Sequence, residues 1–374
     1  MVSPVSPVTG FCRLWRDTLK LAAVRTSRVC VARRRLFAIA AADIGDAAPF
    51  LDVSAALAGL ADAALAAALA VARAEHPDDA VRTRLAVIAM GKCGGRELNY
   101  ISDVDVLFVA EPVDGVDEDE ALAAATRLAQ SLMHACGAST PEGSLWEVDA
   151  NLRPEGRNGA LVRTLASYDG YYRRWASTWE FQALLKARPA TGDREIGERF
   201  VELVTPFVWT AADRPHFVED VQAMRRRVEE QIPAGEVDRQ LKLGPGGLRD
   251  VEFSVQLLQL VHGRSDESLR SVNTLKALAA LAQGGYVGRD DASALDAAYR
   301  GAADGDGSVS ADAAERKRRS PQSHSALGRT PKGLFPLRCL SCSLAPALPA
   351  GPVSLTTPPE RIRHCVCCLF PGPS

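Results

Sequence analysis

An excess of charge of either sign is missing from this sequence. Its 44 Lys and Arg stand against 46 Asp and Glu, a net charge of −2, so no global basic field exists to gather nucleic acid or to hold the chain on an acidic membrane surface. Uninterrupted apolar runs of the roughly 20 residues a membrane span needs are missing too; the longest Ala/Leu stretch is broken by Asp52, Asp62 and Arg73. No secretory leader is recognisable, and the nine cysteines are an odd number, scattered at first and crowded from Cys339 onward. A disulfide framework is therefore not expected. These absences describe a cytoplasmic, globular protein without a nucleic-acid or membrane partner.

What is present is enough apolar residue, 47% of 374, for a sizeable core and two domains. Residues 1–42 hold seven Arg and one Lys but a single acid, Asp17. That composition is shared with organelle transit peptides, yet the reading adopted is a poorly ordered basic N-terminus (1–33) leading into a basic helix near "RRRLFAIAAADIG" and a second helix, "DVSAALAGLADAALAAALAVARAE". Asp52 or Ser54 is placed to cap the latter, and Pro77 lies just beyond its end. "RLAVIAM" has the length of a buried strand and runs into the glycine-containing turn "GKCGG". "EDEALAAATRLAQSLMHACG" starts acidic and stops at Gly137, which predicts a helix. "SLWEVDANLRP" alternates apolar and polar residues and predicts a third strand. From residue 166 to 300 apolar residues recur at three- and four-residue spacings, as in "SYDGYYRRWASTWEFQALLKAR" and "RDVEFSVQLLQLVHG", predicting helix after helix. Trp175 and Trp179, four apart, are expected on one helix and in its core. Residues 301–374, rich in Gly, Pro, Ser and Arg, read as a disordered low-complexity tail. Its C-x-x-C pairs, Cys339/Cys342 and Cys365/Cys368, are separated by too much aperiodic chain to favour a zinc site.

The strand between "GKCGG" and "EDEALAAATRLAQSLMHACG" carries the one pattern that burial does not explain. In "ISDVDVLFV", Asp103 and Asp105 are two residues apart and so share a strand face, while Val104, Val106 and Phe108 occupy the other. Carboxylates so close repel unless a cation lies between them, and hard oxygen ligands suit Mg²⁺. Asp149, on the third strand with Leu145 and Glu147 on its face, completes a three-carboxylate cluster if that strand is adjacent. Gly94 and Gly95 allow backbone N–H groups to approach a phosphate chain. Two metal ions in such a site would activate the attacking oxygen and stabilise the leaving one of an in-line displacement.

Four blocks in order, "GKCGGRELNYISDVDVLFV", "EVDANLRPEGRNGALVRT", "WEFQALLKARPATGD" and "KLGPGGLRDVEFSVQLLQLVHG", resemble one catalytic half of the glutamine synthetase adenylyltransferase/adenylyl-removing enzyme family over about residues 34–300. The resemblance implies an α+β fold: a nucleotidyltransferase-type small mixed sheet with flanking helices, followed by an all-helical bundle domain. It implies leading helices at 34–78, a catalytic domain at 79–165 and a helical domain at 166–300. Asp103, Asp105 and Asp149 become the metal-binding catalytic carboxylates, and Gly94, Gly95 and Ser102 belong to the nucleotide-binding turn. The expected reaction moves AMP to or from a tyrosine of glutamine synthetase, with Mg²⁺, ATP or ADP, and inorganic phosphate. A nitrogen-signalling protein is a further expected partner. The block carrying Lys242 and Arg249 is closer to the adenylyl-removing half, which favours removal by phosphorolysis. "GPGG" within it reads equally as a plain turn or as an anion contact. Only one Asp-x-Asp cluster occurs, and the likeness ends near Arg300; a catalytically weak remnant that binds glutamine synthetase or a signalling partner is the alternative.

Overall fold

A computed structural model describes residues 29–100, 102–140, 143–230, 232, 241–244 and 246–318. These fall into two compact units divided between Ala211 and Ala212.

In the first unit, α1 (29–44) and α2 (Phe50–Glu75) precede a short helix, α3 (Pro77–Ala80), and strand β1 (Thr83–Ala89). α2 begins after Pro49, which makes no side-chain cap, so Asp52 and Ser54 sit inside the helix instead of capping it. By length and composition α2 is apolar enough to cross a membrane, its charges notwithstanding. In the fold it is a core helix: Leu57, Ala61, Leu65, Ala68 and Ala72 are buried, and it packs on α5. A single turn, α4 (Gly91–Gly94), leads to β2 (Val104–Pro112) and then α5 (Glu118–Gly137). The acidic start of α5 works as expected: the Asp117 side chain accepts from the N–H groups of Asp119 and Glu120.

The sheet is mixed, in the order β3-β2-β1-β5 with β4 also on β2. β1 is antiparallel to both β2 and β5 (Arg188–Gly192), whereas β3 (Val148–Asp149) and β4 (Val162–Arg163) run parallel to β2. The expected third strand thus shortens to two residues, because Asn151–Gly159 turns away under the control of Arg153. That side chain donates to the carbonyls of Ala150, Arg157 and Gly159. Val104, Val106, Phe108 and Ala110 of β2 join Leu85, Val87 and Ala89 of β1 in one core with α2 and α5. On the opposite face Leu107 and Val109 are also fully buried, and α6 (Leu165–Arg174) and α8 (Arg194–Trp209) lie against the sheet.

Two expectations between residues 166 and 211 are corrected. The helix foreseen over "SYDGYYRRWASTWEFQALLKAR" is two, α6 and α7 (Thr178–Leu184), because Ser177 and Glu180 form a reciprocal capping box that restarts the chain. Trp175 and Trp179 therefore stand on different elements; Trp175 is 75% exposed instead of core. The stretch also contributes β5, the edge strand of the sheet, and so is not purely helical.

The second unit holds α9 (Phe217–Glu230), α10 (Leu248–His262), α11 (Thr274–Gln283) and α12 (Arg289–Arg318). α10 is buried nearly all round and packs on the other three. Arg225, 2% exposed, is ion-paired with Asp250, which also accepts from Gly246 N–H at 2.6 Å. The Leu248 and Arg249 amides donate back to Leu241 and Lys242, at 2.9 and 3.0 Å. These bonds tie Leu241 and Lys242 back onto the start of α10. Helix α12 carries the chain past Gly301 to Arg318, into the segment expected to lack a helical period, since extending an established helix gains a hydrogen bond for each residue fixed. Cys339, Cys342, Cys365 and Cys368 lie outside the described residues.

Candidate active site

The end of β1 sets the geometry. Ala89 pairs with Val106 on one side and with Arg188 on the other, and the next residue, Met90, donates its N–H to the Asp105 carbonyl at 2.9 Å. The chain then turns into α4 through Gly91, whose φ of +51° lies in the left-handed region. A Cβ there would overlap Asp105 Oδ2 and stand 3.1 Å from its Cγ. Only glycine leaves the Asp105 carboxylate where it is. This residue was missed by sequence reasoning, which took the Gly94–Gly95 pair as the significant glycines.

Asp105 is the register partner of Asp149 across the parallel β2–β3 pair, and Val104 is that of Val148. The adjacency required for a shared site is therefore present, with both carboxylates half-buried and on one sheet face. Asp149 Oδ1 accepts the Asn151 N–H at 2.6 Å, which fixes that side chain against the turn shaped by Arg153. Asp103 precedes β2 and is exposed, and Ser102 beside it is half-buried, its N–H directed to the Asn99 carbonyl at 3.4 Å. Among the described residues no three His, Cys, Asp or Glu side chains are gathered closely enough to hold a metal ion. The structure brings Asp105 and Asp149 together and leaves Asp103 at the rim.

The glycine pair plays a part different from the one its sequence suggested. Gly94 N–H donates to Met90 O at 2.7 Å and Gly95 N–H to Gly91 O at 3.0 Å, so both amides close the α4 turn instead of facing outward. Gly94 contributes close approach: a Cβ on it would overlap Lys186 O and lie 2.8 Å from Ala89 O. Cys93, just before the glycine pair and buried, has its thiol pushed up to about 12 by burial, with Asp62 adding to the effect. It stays protonated and is no nucleophile. The loop after α4 is tied to α1 by Tyr100, whose hydroxyl donates to Asp43 at 2.6 Å; burial and this bond raise the phenol's pKa.

Comparison with known proteins gives this geometry a family. The glutamate-ammonia ligase adenylyltransferase family model matches residues 16–203, just over half of the chain. The chain belongs to that family. A second family model, GlnD PII-uridylyltransferase, matches residues 222–303, within the helical unit. Curated relatives include a bifunctional glutamine synthetase adenylyltransferase/adenylyl-removing enzyme of Streptomyces avermitilis, 65% identical over 268 residues. Proteins bearing the same name from Streptomyces coelicolor and Mycolicibacterium smegmatis are 66% and 58% identical over 271 and 273 residues. These alignments cover 72%, 72% and 71% of this chain but 27% of each relative, so the chain spans about a quarter of the length of the curated relatives it matches.

Proposed function

We propose that this chain is a metal-dependent nucleotidyltransferase that regulates glutamine synthetase, and that it favours removal of AMP from a modified tyrosine by phosphorolysis. The observation that carries the reading is the parallel register setting Asp105 opposite Asp149, beside a glycine that makes room for the Asp105 carboxylate. Membership of the adenylyltransferase family and the name shared by its relatives support the substrate. The donor set fits Mg²⁺ chemically, being carboxylate oxygen throughout. Asp105 and Asp149 would hold it, and Asp103 at the rim would be the third carboxylate. When bound, Mg²⁺ supplies charge neutralisation at the phosphoryl group and a lower pKa at the attacking oxygen.

Gly94, Gly95 and Ser102 border the nucleotide side, the glycines through the close packing of α4 on its neighbours. In removal, an oxygen of inorganic phosphate attacks the α-phosphorus in line. The new P–O bond makes ADP, the bond from phosphorus to the tyrosine oxygen breaks, and that oxygen leaves with a proton from solvent. Attachment would instead take ATP, with the tyrosine oxygen attacking and pyrophosphate leaving. Phosphate is its own nucleophile, so this chain's task is orientation and charge. Residues 79–165 form the centre of the catalytic region, the stretch to Ala211 completes its sheet and covers one face, and the helical unit begins at Ala212. The uridylyltransferase match supports a nitrogen-signalling protein as a second partner, and a cytoplasmic location follows from these substrates.

The test is incubation with adenylylated glutamine synthetase, Mg²⁺ and phosphate, following ADP. Phosphate-dependent ADP without labelling of unmodified glutamine synthetase from ATP is expected. Efficient ATP-driven labelling with no removal would reverse the direction, and silence in both assays would favour a binding module.

A further inference from the structure

At the α4 turn two ion pairs converge from the same short segment. Lys186, two residues ahead of β5, donates to Glu97 Oε2 at 2.7 Å, with only 6% and 2% of the two side chains exposed. Arg188, the residue paired with Ala89 at the end of β1, spreads its fork over several acceptors, the neighbouring Pro189 carbonyl among them. Its Nη1 and Nη2 donate to the Asp62 carboxylate of α2, each at 2.9 Å. Nη2 also donates to Cys93 O at 3.0 Å, and Nε to Gly94 O at 3.3 Å. The same segment supplies the carbonyl, Lys186 O, against which Gly94 is packed without room for a Cβ.

A turn of four residues is too short to hold its own shape, because few of its hydrogen bonds reinforce one another. Here its last two carbonyls are held by a guanidinium that is itself locked by a carboxylate. Its exit, three residues on, is held by a buried lysine. Neither pair is explained by core formation alone, since burying charge gives little net stability. Both act on the one turn that adjoins Asp105.

We propose that residues 186–188 are a strap that fixes the α4 turn, and through Gly91 the Asp105 carboxylate, making Lys186 and Arg188 positioning residues of the nucleotide site. The proposal rests on the nucleotidyltransferase reading for its consequence, though not for the strap itself. Lysine in place of Arg188 keeps the charge facing Asp62 but lacks the planar fork that reaches Asp62 and both carbonyls together. Charge is retained and geometry is lost.

The experiment compares the wild-type chain with Arg188→Lys by amide hydrogen exchange and by calorimetric titration with Mg·ADP. Exchange at the Gly94 and Gly95 amides is expected to rise about tenfold or more, with β1 amides and Tm held. Mg·ADP affinity is expected to fall about tenfold as the carboxylate loses its fixed position. A purely structural ion pair would lower Tm and raise exchange across the sheet without this local signature. Lys186→Met combined with Glu97→Gln is the second variant, free of any buried lone charge, and should raise exchange at the same amides. Unchanged exchange at Gly94 and Gly95 in both variants overturns the strap. A wild-type chain that binds no Mg·ADP overturns the nucleotide reading instead, while the exchange data still decide the strap.

Discussion

Gly91→Ala isolates the contact on which the site geometry turns. The residue has φ +51°, and an L-residue held in the left-handed region costs about 1–2 kcal/mol. The added methyl would also overlap Asp105 Oδ2, so the carboxylate has to rotate away by about 1 Å to regain van der Waals separation. The first effect is a modest loss of stability, equivalent to about 2–8 °C in Tm for a unit of this size. The second is functional: a displacement of about 1 Å at a reacting group can cost about a hundredfold. Calorimetry with Mg·ADP and the phosphate-dependent release of ADP read the second effect, and thermal unfolding reads the first. Gly59→Ala is the internal control, because Gly59 lies inside α2 with nothing within 4 Å of its would-be Cβ. That change should be neutral or stabilise by about 0.5–1 kcal/mol and leave binding untouched. If Gly91→Ala bound Mg·ADP as tightly as the wild type, the placement of Asp105 by Gly91 would be refuted.

Asp105→Asn and Asp149→Asn should each lower turnover by more than about a hundredfold with the fold retained, since charge stabilisation at the phosphoryl group is lost; isothermal titration and circular dichroism separate the two effects. Arg225→Ala removes a 2%-exposed guanidinium from Asp250 and from the Gly244 carbonyl. The helical unit should lose about 3 kcal/mol in urea unfolding, and an unchanged midpoint would count against the tie. His262 lies tilted against Tyr286 with ring centroids 4.5 Å apart, and burial lowers its pKa, with Asp266 opposing. Its unfolded form therefore takes up a proton first on acidification. The contribution is intact above about pH 6.5 and is lost as pH falls toward the lowered folded value. Tm should drop more steeply over that window in the wild type than in His262→Gln, and parallel profiles would exclude the histidine.

Helix α5 was legible because its signals are local: an acidic cap at Asp117, alternating burial through Ala121, Ala125 and Leu128, and a glycine at the end. β5 was not, since "RPATG" carries a proline, an alanine and a glycine, none of which favours a strand. It is a strand because β1 offers it an edge. The break at Trp175 did have a sequence signal, the Ser177-x-x-Glu180 capping box, which a purely periodic reading passes over.

The site divides along the same line. Strand alternation alone put Asp105 opposite the valines, and the core around Val104, Val106 and Phe108 agrees, whereas Asp103 falls one residue before β2 begins. Pairing Asp105 with Asp149 required a strand neighbour 44 residues away, which alternation can only pose as a condition. Gly91 is more hidden still, because nothing in "GKCGG" says which of three glycines is left-handed; that is fixed where β1 ends between β2 and β5. Two opposed demands meet there. The Met90 N–H must reach Asp105 O to finish the β1–β2 ladder, and the next residue must clear the Asp105 side chain within one bond. A glycine meets both demands, and Arg188 on the far side keeps the turn from relaxing away from them. The Asp105 carboxylate is thus held by a backbone conformation, and its placement depends on neighbours that would carry no catalytic chemistry of their own.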